Sequence, residues 1–285
     1  MDKGRPFGRL IQYMTELTLY HADYSTCSQK VRIALAEKGI EFISKPINFR
    51  KEEQVSEAYL KINPNGVVPT LVHGDDIIVD SSCILEYLDE AFPENPLSPD
   101  TPAGRAKMRS WLRFMEEVPT KAIRIPSFEQ VFLPTIRLVK SAKSFDQSQS
   151  KRTIRRGFYG KMNRGKGFDN KEIDDSLYEL RSTVLRINEA LESSSWILGE
   201  QLTLVDISLV PLIDRADDMG MSYLWEDLPE VADWLLRLQS RPSFKVAFYK
   251  GCRISERLEF KLAMRGTRKR NKKTSLSDIA RSLGE

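Results

Sequence analysis

Tyr24-Ser25-Thr26-Cys27-Ser28-Gln29-Lys30-Val31-Arg32 stands at a predicted junction between a strand and a helix. Leu17–His21 before it is typical of a short strand, and apolar residues recur at helical spacing after it until a helix-ending glycine. Three nucleophilic side chains, Ser25, Cys27 and Ser28, therefore meet at a helix N-terminus. Free N–H groups and the helix dipole favour an anion there, so a hydroxyl can stabilise a bound thiolate and a thiol can become one.

The first hundred residues alternate between strands and helices. The order strand, helix, strand, hairpin, helix predicts a small mixed sheet flanked by helices. After the first helix we predict a strand at 42–47, a polar helical segment at 51–61, a strand with an internal proline at 67–72, a return strand at 77–79, and a helix capped by Ser81 or Ser82 that runs to Phe92.

The residues after the proline-rich run Pro93–Pro99 show helical periodicity and no convincing strand, which predicts a helical bundle. Residues 141–169 are rich in Lys, Arg, Gly and Ser and predict a mobile loop or an insertion. Residues 275–280 predict a short final helix. We divide the chain into an α/β domain at 14–96, a linker at 97–104, an all-α domain at 105–250 and a basic tail at 251–285, with residues 1–13 as an extension or a misassigned start.

The composition describes a chain that can bury a sizeable core, since 41% of its 285 residues are hydrophobic. No apolar run approaches the ~20 residues that span a bilayer, and residues 1–13 lack a secretory signal, so we expect a cytoplasmic protein without a transmembrane segment. Cys27, Cys83 and Cys252 are far apart and odd in number, which favours a reducing compartment. Two histidines and no metal-binding spacing predict no metal site.

Two short motifs point to a peptide-like ligand. A cis bond at Val68-Pro69 would turn the backbone of Val68 toward an extended peptide, whereas the plainer interpretation is a proline on an edge strand without a ligand. At Asp80-Ser81 a predicted helix begins, where Ser81 and free N–H groups suit a carboxylate and Asp80 suits an ammonium group. The plainer interpretation of that pair is a helix cap.

Thr203 and Asp206 have the spacing of a capping box, and Leu202 and Ile207 that of a hydrophobic staple. We assign these residues a structural role only, because they predict the start of a buried helix at 204–216.

Taken together, these motifs resemble the glutathione transferase family over a collinear region from Leu17 to about Lys250. The resemblance implies a thioredoxin-like domain followed by an all-helical C-terminal domain, a dimer (a homodimer or a heterodimer) and glutathione as co-substrate. The N-terminal half is most similar to zeta-class enzymes, tetrachlorohydroquinone dehalogenase-like transferases and bacterial β-etherases. The motifs that carry the resemblance are Tyr24–Arg32, Asn63–Leu71, Asp80–Ser82, Thr203–Asp206 and Arg241–Ser243.

The resemblance also implies roles for single residues. Val68 would pair with the cysteinyl backbone of glutathione, with Pro69 in the cis form, and Asp80 and Ser81 would hold the γ-glutamyl end. A Lys or Gln in the segment 54–61 would reach the glycyl carboxylate.

The catalytic residue is open at this point, because three positions match different branches of the family. Ser25 matches the serine of zeta enzymes, Cys27 the cysteine of reductive dehalogenases, and Ser28 the serine of one group of lignin β-etherases. A serine hydroxyl would lower the pKa of the glutathione thiol, and a cysteine would form a mixed disulfide. Ser25 leads, since the end of the strand would place it nearest the ligand.

We expect a hydrophobic, aromatic electrophile to bind against the first long helix of the second half, where prolines at 119 and 126 interrupt the helical pattern. The competing interpretation is that these apolar residues form core. The residues expected at this site are Trp111, Phe114, Met115, Ile125 and Phe128, and Ile123, Val131 and Phe132 belong to the same apolar set.

Basic residues crowd into 151–166 and 261–273 although the net charge is only +4. We favour a solvated loop and tail; the alternatives are a surface for nucleic acid or anionic membrane, and a tail that folds back over the active site. The function that best fits the sequence is a glutathione transferase that performs conjugation, reductive ether cleavage of the lignin β-etherase type, or dehalogenation. A non-catalytic module or a less active subunit of a heterodimer is the alternative, and a basic surface-binding protein, including one that binds nucleic acid, ranks last.

Overall fold

One mixed sheet of four strands, in the order β2-β1-β3-β4, organises the N-terminal half. The structure, a computed structural model, describes residues 16–139, 151, 153–154, 157–159, 167–271 and 276–277. β1 pairs in parallel with β2 and antiparallel with β3, and β3 pairs antiparallel with β4. The strands are β1 (Leu17–His21), β2 (Ile43–Pro46), β3 (Thr70–His73) and β4 (Asp76–Val79).

Helix α1 (Thr26–Lys38) begins and ends where the sequence predicts. Ser25 is its N-cap, and Gly39 ends it with a φ of 67°, which costs a glycine little. The sheet packs through fully buried Leu19 and Leu71 into one continuous core that reaches into the helical half. The other helical elements of this half are short 3-10 turns at Phe49–Lys51 and Glu53–Val55, α2 (Glu57–Ile62) and α3 (Ser81–Ala91). This arrangement confirms the expected thioredoxin-like fold.

Two details of this half differ from the predictions. Pro69 stands just before β3 rather than inside a strand, because the strand begins at Thr70. Asp80, and not one of the serines that follow it, caps α3: its carboxylate accepts hydrogen bonds from the N–H groups of Ser82 at 2.9 Å and Cys83 at 3.4 Å. A carboxylate is the stronger acceptor at a helix N-terminus.

The second half is helical, and among the described residues its only β-pairing is an isolated bridge between Trp196 and Gly199. Its first long helix ends at Glu117, and the chain continues through short, bent pieces in which Pro119 begins a new helix. The helices are α4 (Pro102–Glu117), α5 (Pro119–Ala122), α6 (Arg124–Ser127), a π-helical turn (Phe128–Phe132), α7 (Leu133–Val139), α8 (Asn170–Leu191), α9 (Leu204–Asp218), α10 (Pro229–Ser240) and α11 (Pro242–Ala247), with a 3-10 turn at Ser222–Trp225.

The predicted capping box at the start of α9 is confirmed. The Asp206 carboxylate, which is fully buried, accepts a hydrogen bond from the Thr203 N–H at 3.0 Å. It also accepts from the indole N–H of Trp234 at 3.0 Å and from the Ile197 N–H at 3.1 Å. Asp206 therefore fixes the entry of α9 and ties it to α10.

The motif Arg241–Ser243 joins the two halves. The Arg241 guanidinium donates to both carboxylate oxygens of Glu37 in α1, and the Ser243 hydroxyl donates to the same carboxylate. Burial alone would raise the pKa of Glu37, but the hydrogen bonds from Arg241 and Ser243 outweigh this effect, so the pKa of Glu37 is lowered. On the same helix Gln29 and Arg32 donate to the main-chain carbonyls of Cys252 and Ala247, at 2.9 Å and 3.0 Å.

The expectation of a solvated tail is wrong for residues 251–271, here called the C-terminal segment. This segment forms 3-10 turns at Ile254–Glu256 and Leu258–Phe260 and helix α12 (Lys261–Asn271). Phe260, Met264 and Thr267 are buried, so one side of the segment packs against the rest of the protein, whereas Leu258 and Leu262 face solvent. Arg253 pairs with Asp214 at the end of α9, which anchors the segment.

Several predictions fall on residues that the structure does not describe. Most of 141–169 and most of the predicted helix at 275–280 lie outside the described residues, as do 1–13. Within the described residues, no helix has the length and apolar character needed to cross a membrane.

Candidate functional site

A cavity of about 410 Å³ opens where the N-terminus of α1 meets the helical half. Residues of the sheet domain, of the bent helices after α4 and of the C-terminal segment all contribute to its wall. The lining residues include Tyr24, Ser25, Thr26, Cys27, Phe49, Arg50, Gln54, Val68, Thr120, Ile123, Arg124, Ser127, Phe128, Phe132, Tyr159, Arg215, Glu259 and Phe260.

The three candidate nucleophiles are placed differently. Ser25 and Cys27 line the cavity, at the cap and in the first turn of α1. Ser28 is fully buried and is not on the wall; its hydroxyl oxygen accepts a hydrogen bond from the Ala22 N–H at 3.2 Å. Ser28 therefore holds the turn between β1 and α1. The Ser25 hydroxyl oxygen accepts from the Ser28 N–H at 3.3 Å, so its own hydrogen is available for a ligand.

Of the two motifs predicted to bind a ligand, only one lies on the cavity wall. Val68 lines the cavity, and the Val68–Pro69 peptide bond is cis. Asp80 and Ser81 do not line it. Asp80 is exposed at the start of α3 and has a φ of 76°, a conformation that few residues other than glycine adopt, and Ser81 is buried beside it.

Gln54 gives the cavity a buried polar group. Its side chain is 4% exposed, and its amide oxygen has no hydrogen-bond partner among the described residues. A buried amide that lacks a partner is costly, so this position favours a polar ligand group in the cavity.

Aromatic rings form most of the apolar wall. Phe132 lies at the centre, with ring centroids 5.0 Å from Phe128, 5.3 Å from Phe260 and 5.8 Å from Tyr24. Tyr159 lies 6.0 Å from Phe128. The rings meet mostly edge to face or tilted, which is the favoured arrangement for aromatic pairs.

Of the residues expected at the electrophile site, Phe128 lines this cavity, as do Ile123 and Phe132 of the same apolar set. Trp111 and Phe114 instead hold the guanidinium of Arg186, at 4.3 Å and 4.1 Å from their ring centroids. Met115 is fully buried against the Lys30 amine, and Ile125 packs on a separate cluster around Leu133 and Phe168.

The bend in the chain explains these placements. Because α4 ends at Glu117 and the helix restarts at Pro119, the residues that turn toward the cavity come after the bend. They are Thr120, Ile123, Arg124, Ser127, Phe128 and Phe132.

Arg215 is a cavity residue that we did not predict. It lies in helix α9, is 6% exposed, and donates a hydrogen bond to the main-chain oxygen of Tyr24. Burial lowers the pKa of its guanidinium, while the charges of Asp218, Asp214, Tyr24 and Cys27 act in the opposite direction. Arg215 is the one basic residue of α9, and this was the available signal in the sequence.

Tyr24, Glu259 and Phe260 are also cavity residues that we did not predict. Tyr24 lines the cavity, and burial raises the pKa of its phenol to about 12. The Arg257 guanidinium lies 4.8 Å from the Tyr24 ring and bonds to Glu259 at 2.8 Å. The C-terminal segment thus folds back over this cavity, which agrees with the alternative prediction of a tail that folds back.

Metal ligands are not assembled anywhere in the described part of the chain. No group of three or more His, Cys, Asp and Glu side chains there is arranged to hold a metal ion.

Two family models match the chain. The glutathione S-transferase N-terminal domain matches residues 19–96, and the glutathione S-transferase C-terminal domain matches residues 150–242. Together they match more than half of the sequence.

Known proteins with similar sequences include protein LigF of Sphingobium sp. (strain NBRC 103272 / SYK-6), which is 29% identical over 244 residues, 83% of this chain and 95% of LigF. A zeta-class glutathione S-transferase of Euphorbia esula is 50% identical over 84 residues, 30% of this chain and 37% of that protein. The resemblance to both branches is therefore confirmed.

Solved structures agree. The crystal structure of β-etherase LigF from Sphingobium sp. strain SYK-6 has a TM-score of 0.72 at 28% identity, over 81% of this chain and 98% of that one. Glutathione transferase URE2P6 from Phanerochaete chrysosporium, solved with oxidized glutathione, has a TM-score of 0.63 at 20% identity, over 83% of this chain and 96% of that one, and supports the fold. The chain belongs to the glutathione S-transferase family, whose co-substrate is glutathione.

Proposed function

We propose that this protein holds glutathione with its thiolate at the N-terminus of α1 and transfers it to a hydrophobic aromatic electrophile in the cavity. The observation that carries the proposal is that Ser25 and a wall of aromatic rings share one cavity. The sulfur nucleophile and a planar, water-poor guest would thereby meet.

Glutathione would lie along the sheet domain in an extended form. Val68 would pair with its cysteinyl backbone, while Asp80 and Ser81 at the start of α3 would hold the γ-glutamyl end, outside the cavity itself. Gln54 would turn its amide toward the glycyl carboxylate, since its buried amide oxygen has no partner among the described residues, and the two ends of an amide are interchangeable by rotation.

Ser25 would stabilise the thiolate. Its oxygen already accepts from the Ser28 N–H, so its hydroxyl hydrogen is free to be donated to sulfur. That hydrogen bond and the N-terminal end of the α1 dipole both favour the charged form, and together they would lower the pKa of the bound thiol.

The thiolate would then attack an electrophilic carbon. A carbon–sulfur bond forms while the bond to the leaving group breaks, and the leaving group departs with the bonding pair, as chloride or as a phenolate. The related LigF structure is that of a β-etherase, which supports an aryl ether as one class of electrophile.

A second reaction is favoured by one observation, the presence of Cys27 on the cavity wall. In a reductive reaction its thiolate would attack the sulfur of a glutathione adduct, the released carbanion would take a proton, and a second glutathione would resolve the mixed disulfide. This reaction would remove a halogen or an ether without leaving sulfur on the product.

The proposal also includes a cytoplasmic homodimer, with a heterodimer as the alternative. The three cysteines of the chain form no disulfide bond, which suits a reducing compartment. Tyr178 and Leu185, seven residues apart on α8, are both more than two-fifths exposed, which suits a covered helix face in a dimer.

Retention on glutathione-agarose, followed by a thiol-conjugation assay with aryl ethers and chlorinated aromatics, tests the proposal. We expect retention, elution by free glutathione, and turnover of at least one aromatic electrophile. Neither retention nor turnover by folded protein would contradict the proposal and favour a non-catalytic module.

A further inference from the structure

We propose that Arg215 binds an anionic oxygen of the aromatic substrate, so that the enzyme selects electrophiles that carry a carboxylate or a phenolate. This inference rests on the proposed function and adds the charge of the substrate to it.

The first step concerns the partners of Arg215. Its guanidinium has five N–H donors, yet in the described part of the chain it makes a single hydrogen bond, to the main-chain oxygen of Tyr24. No carboxylate among the described residues lies within 4.0 Å of it. A guanidinium that is 6% exposed and not paired with an anion is unusual, because burying a charge without a partner costs several kcal/mol.

The neighbouring acids are already engaged. Asp214 accepts hydrogen bonds from Arg253, and Asp218 accepts from Arg268 at 3.0 Å and from Ser255. Glu259, an acid on the cavity wall, is bonded to Arg257 at 2.8 Å. Asp214 and Asp218 attract Arg215 without a hydrogen bond to it, so its free donors remain for another anion.

The surroundings of Arg215 define the guest. It lines the cavity, its guanidinium carbon is 5.9 Å from the Phe132 ring, and it bonds to the residue that precedes Ser25. A ring stacked among Phe128, Phe132 and Phe260 would therefore bring an oxyanion within reach of the guanidinium. The carboxylates of glutathione are assigned to other groups, so the anion belongs to the electrophile.

Cys27 is the competing partner. It also lines the cavity, and in its thiolate form it would attract Arg215. If Arg215 served Cys27 alone, the substrate would need no charge, and removing the thiol would free the guanidinium.

A matched pair of electrophiles tests the inference. 4-Chloro-3,5-dinitrobenzoate and its methyl ester both lose chloride to a thiolate; the ester lacks the negative charge and carries one additional methyl group. We expect the wild-type kcat/KM to favour the acid over the ester, after correction for their uncatalysed rates. Arg215→Met should lower that acid-to-ester ratio roughly 10-fold or more, as expected for loss of a charge-assisted hydrogen bond.

Two control variants are available. Arg50→Met removes an exposed arginine of the same cavity and should change the ratio less than about twofold, because its charge is screened by solvent. Cys27→Ala should keep the preference for the acid. An acid preference that appears only in Cys27→Ala would overturn the inference, since Arg215 would then serve the thiol.

Inhibition of the wild-type enzyme tests the inference without a variant. It also distinguishes the two possible anions of the substrate, a carboxylate and a phenolate. We expect 3,5-dinitrobenzoate to inhibit more tightly than its methyl ester, or 2,4-dinitrophenolate more tightly than 2,4-dinitroanisole; the first result identifies a carboxylate and the second a phenolate. Turnover of the ester without preference for either anion would overturn this inference and leave the proposed function intact. Absence of glutathione binding and of turnover for both electrophiles would overturn both.

Discussion

The ring of Phe260 lies 5.5 Å from the ring of Tyr24, edge to face. Tyr24 directly precedes Ser25, whereas Phe260 belongs to the C-terminal segment, beyond the region that the C-terminal family model matches. Through this contact the C-terminal segment, whose sequence predicted a solvated tail, forms part of the cavity wall.

Phe260→Ala should weaken binding of aromatic electrophiles, because it removes a ring from the wall. We expect kcat/KM to fall by about 10-fold, mostly through KM, as loss of 1–2 kcal/mol of aromatic contact predicts. Steady-state kinetics at saturating glutathione measures this. Leu262→Ala is the control, since Leu262 is 79% exposed; an equal effect of both variants would contradict a specific role for Phe260.

Ser25→Ala should lower turnover more than Cys27→Ala does. We expect a loss of roughly 100-fold, the usual effect of removing one donor that stabilises developing or fixed charge, whereas Cys27→Ala should lose little in a conjugation assay. The reverse order, together with loss of the reduced product in Cys27→Ala, would support the reductive reaction instead.

Arg241→Lys should destabilise the protein, because a lysine cannot donate to both oxygens of Glu37. Glu37 is only 10% exposed, so a loss of about 1–3 kcal/mol in the free energy of unfolding is expected. Urea denaturation measures it. Lys171→Ala breaks a fully exposed pair with Asp175 and serves as the control, with no measurable change expected. Equal stability of wild type and Arg241→Lys would contradict the structural role.

His21 should make the folded protein less stable in acid. Burial, followed by the positive charge of Arg32, lowers the pKa of His21 to about 4, below its ordinary value of 6.5. Between these two pKa values His21 is protonated in the unfolded chain but neutral in the folded chain. The free energy of unfolding therefore falls as the pH drops from 7 toward 4, by up to roughly 3 kcal/mol. His21→Asn should lose this component of the pH dependence. A His21 ring that titrates near 6.5 by NMR in the folded protein would contradict it.

Local signals account for what the sequence predicted well. The start of α1 at Ser25, its end at Gly39 and the capping box of Thr203 and Asp206 depend on residues within a few positions of each other. Which residues line the cavity, by contrast, depends on contacts between distant parts of the chain. Arg215 and Tyr24 are 191 positions apart, and no rule of sequence spacing predicts such a contact.

Helical periodicity was a poor guide to the electrophile site. Trp111 and Phe114 have the right chemistry, but the bend at Pro119 directs the cavity toward later residues, and the two rings bind Arg186 instead. The burial of Phe260 was not predicted, because the C-terminal segment is strongly basic on average. An average charge does not reveal which single side chains of a segment are buried.

Ultraviolet titration of the glutathione thiolate, bound to wild type and to Ser25→Ala, tests the central claim most directly. We predict that wild-type protein ionises bound glutathione at a pH well below that required by free glutathione, and that Ser25→Ala moves this ionisation back toward the free value. Bound glutathione that ionises at the same pH as free glutathione, or with the same pKa in both proteins, would contradict the claim that Ser25 holds the thiolate.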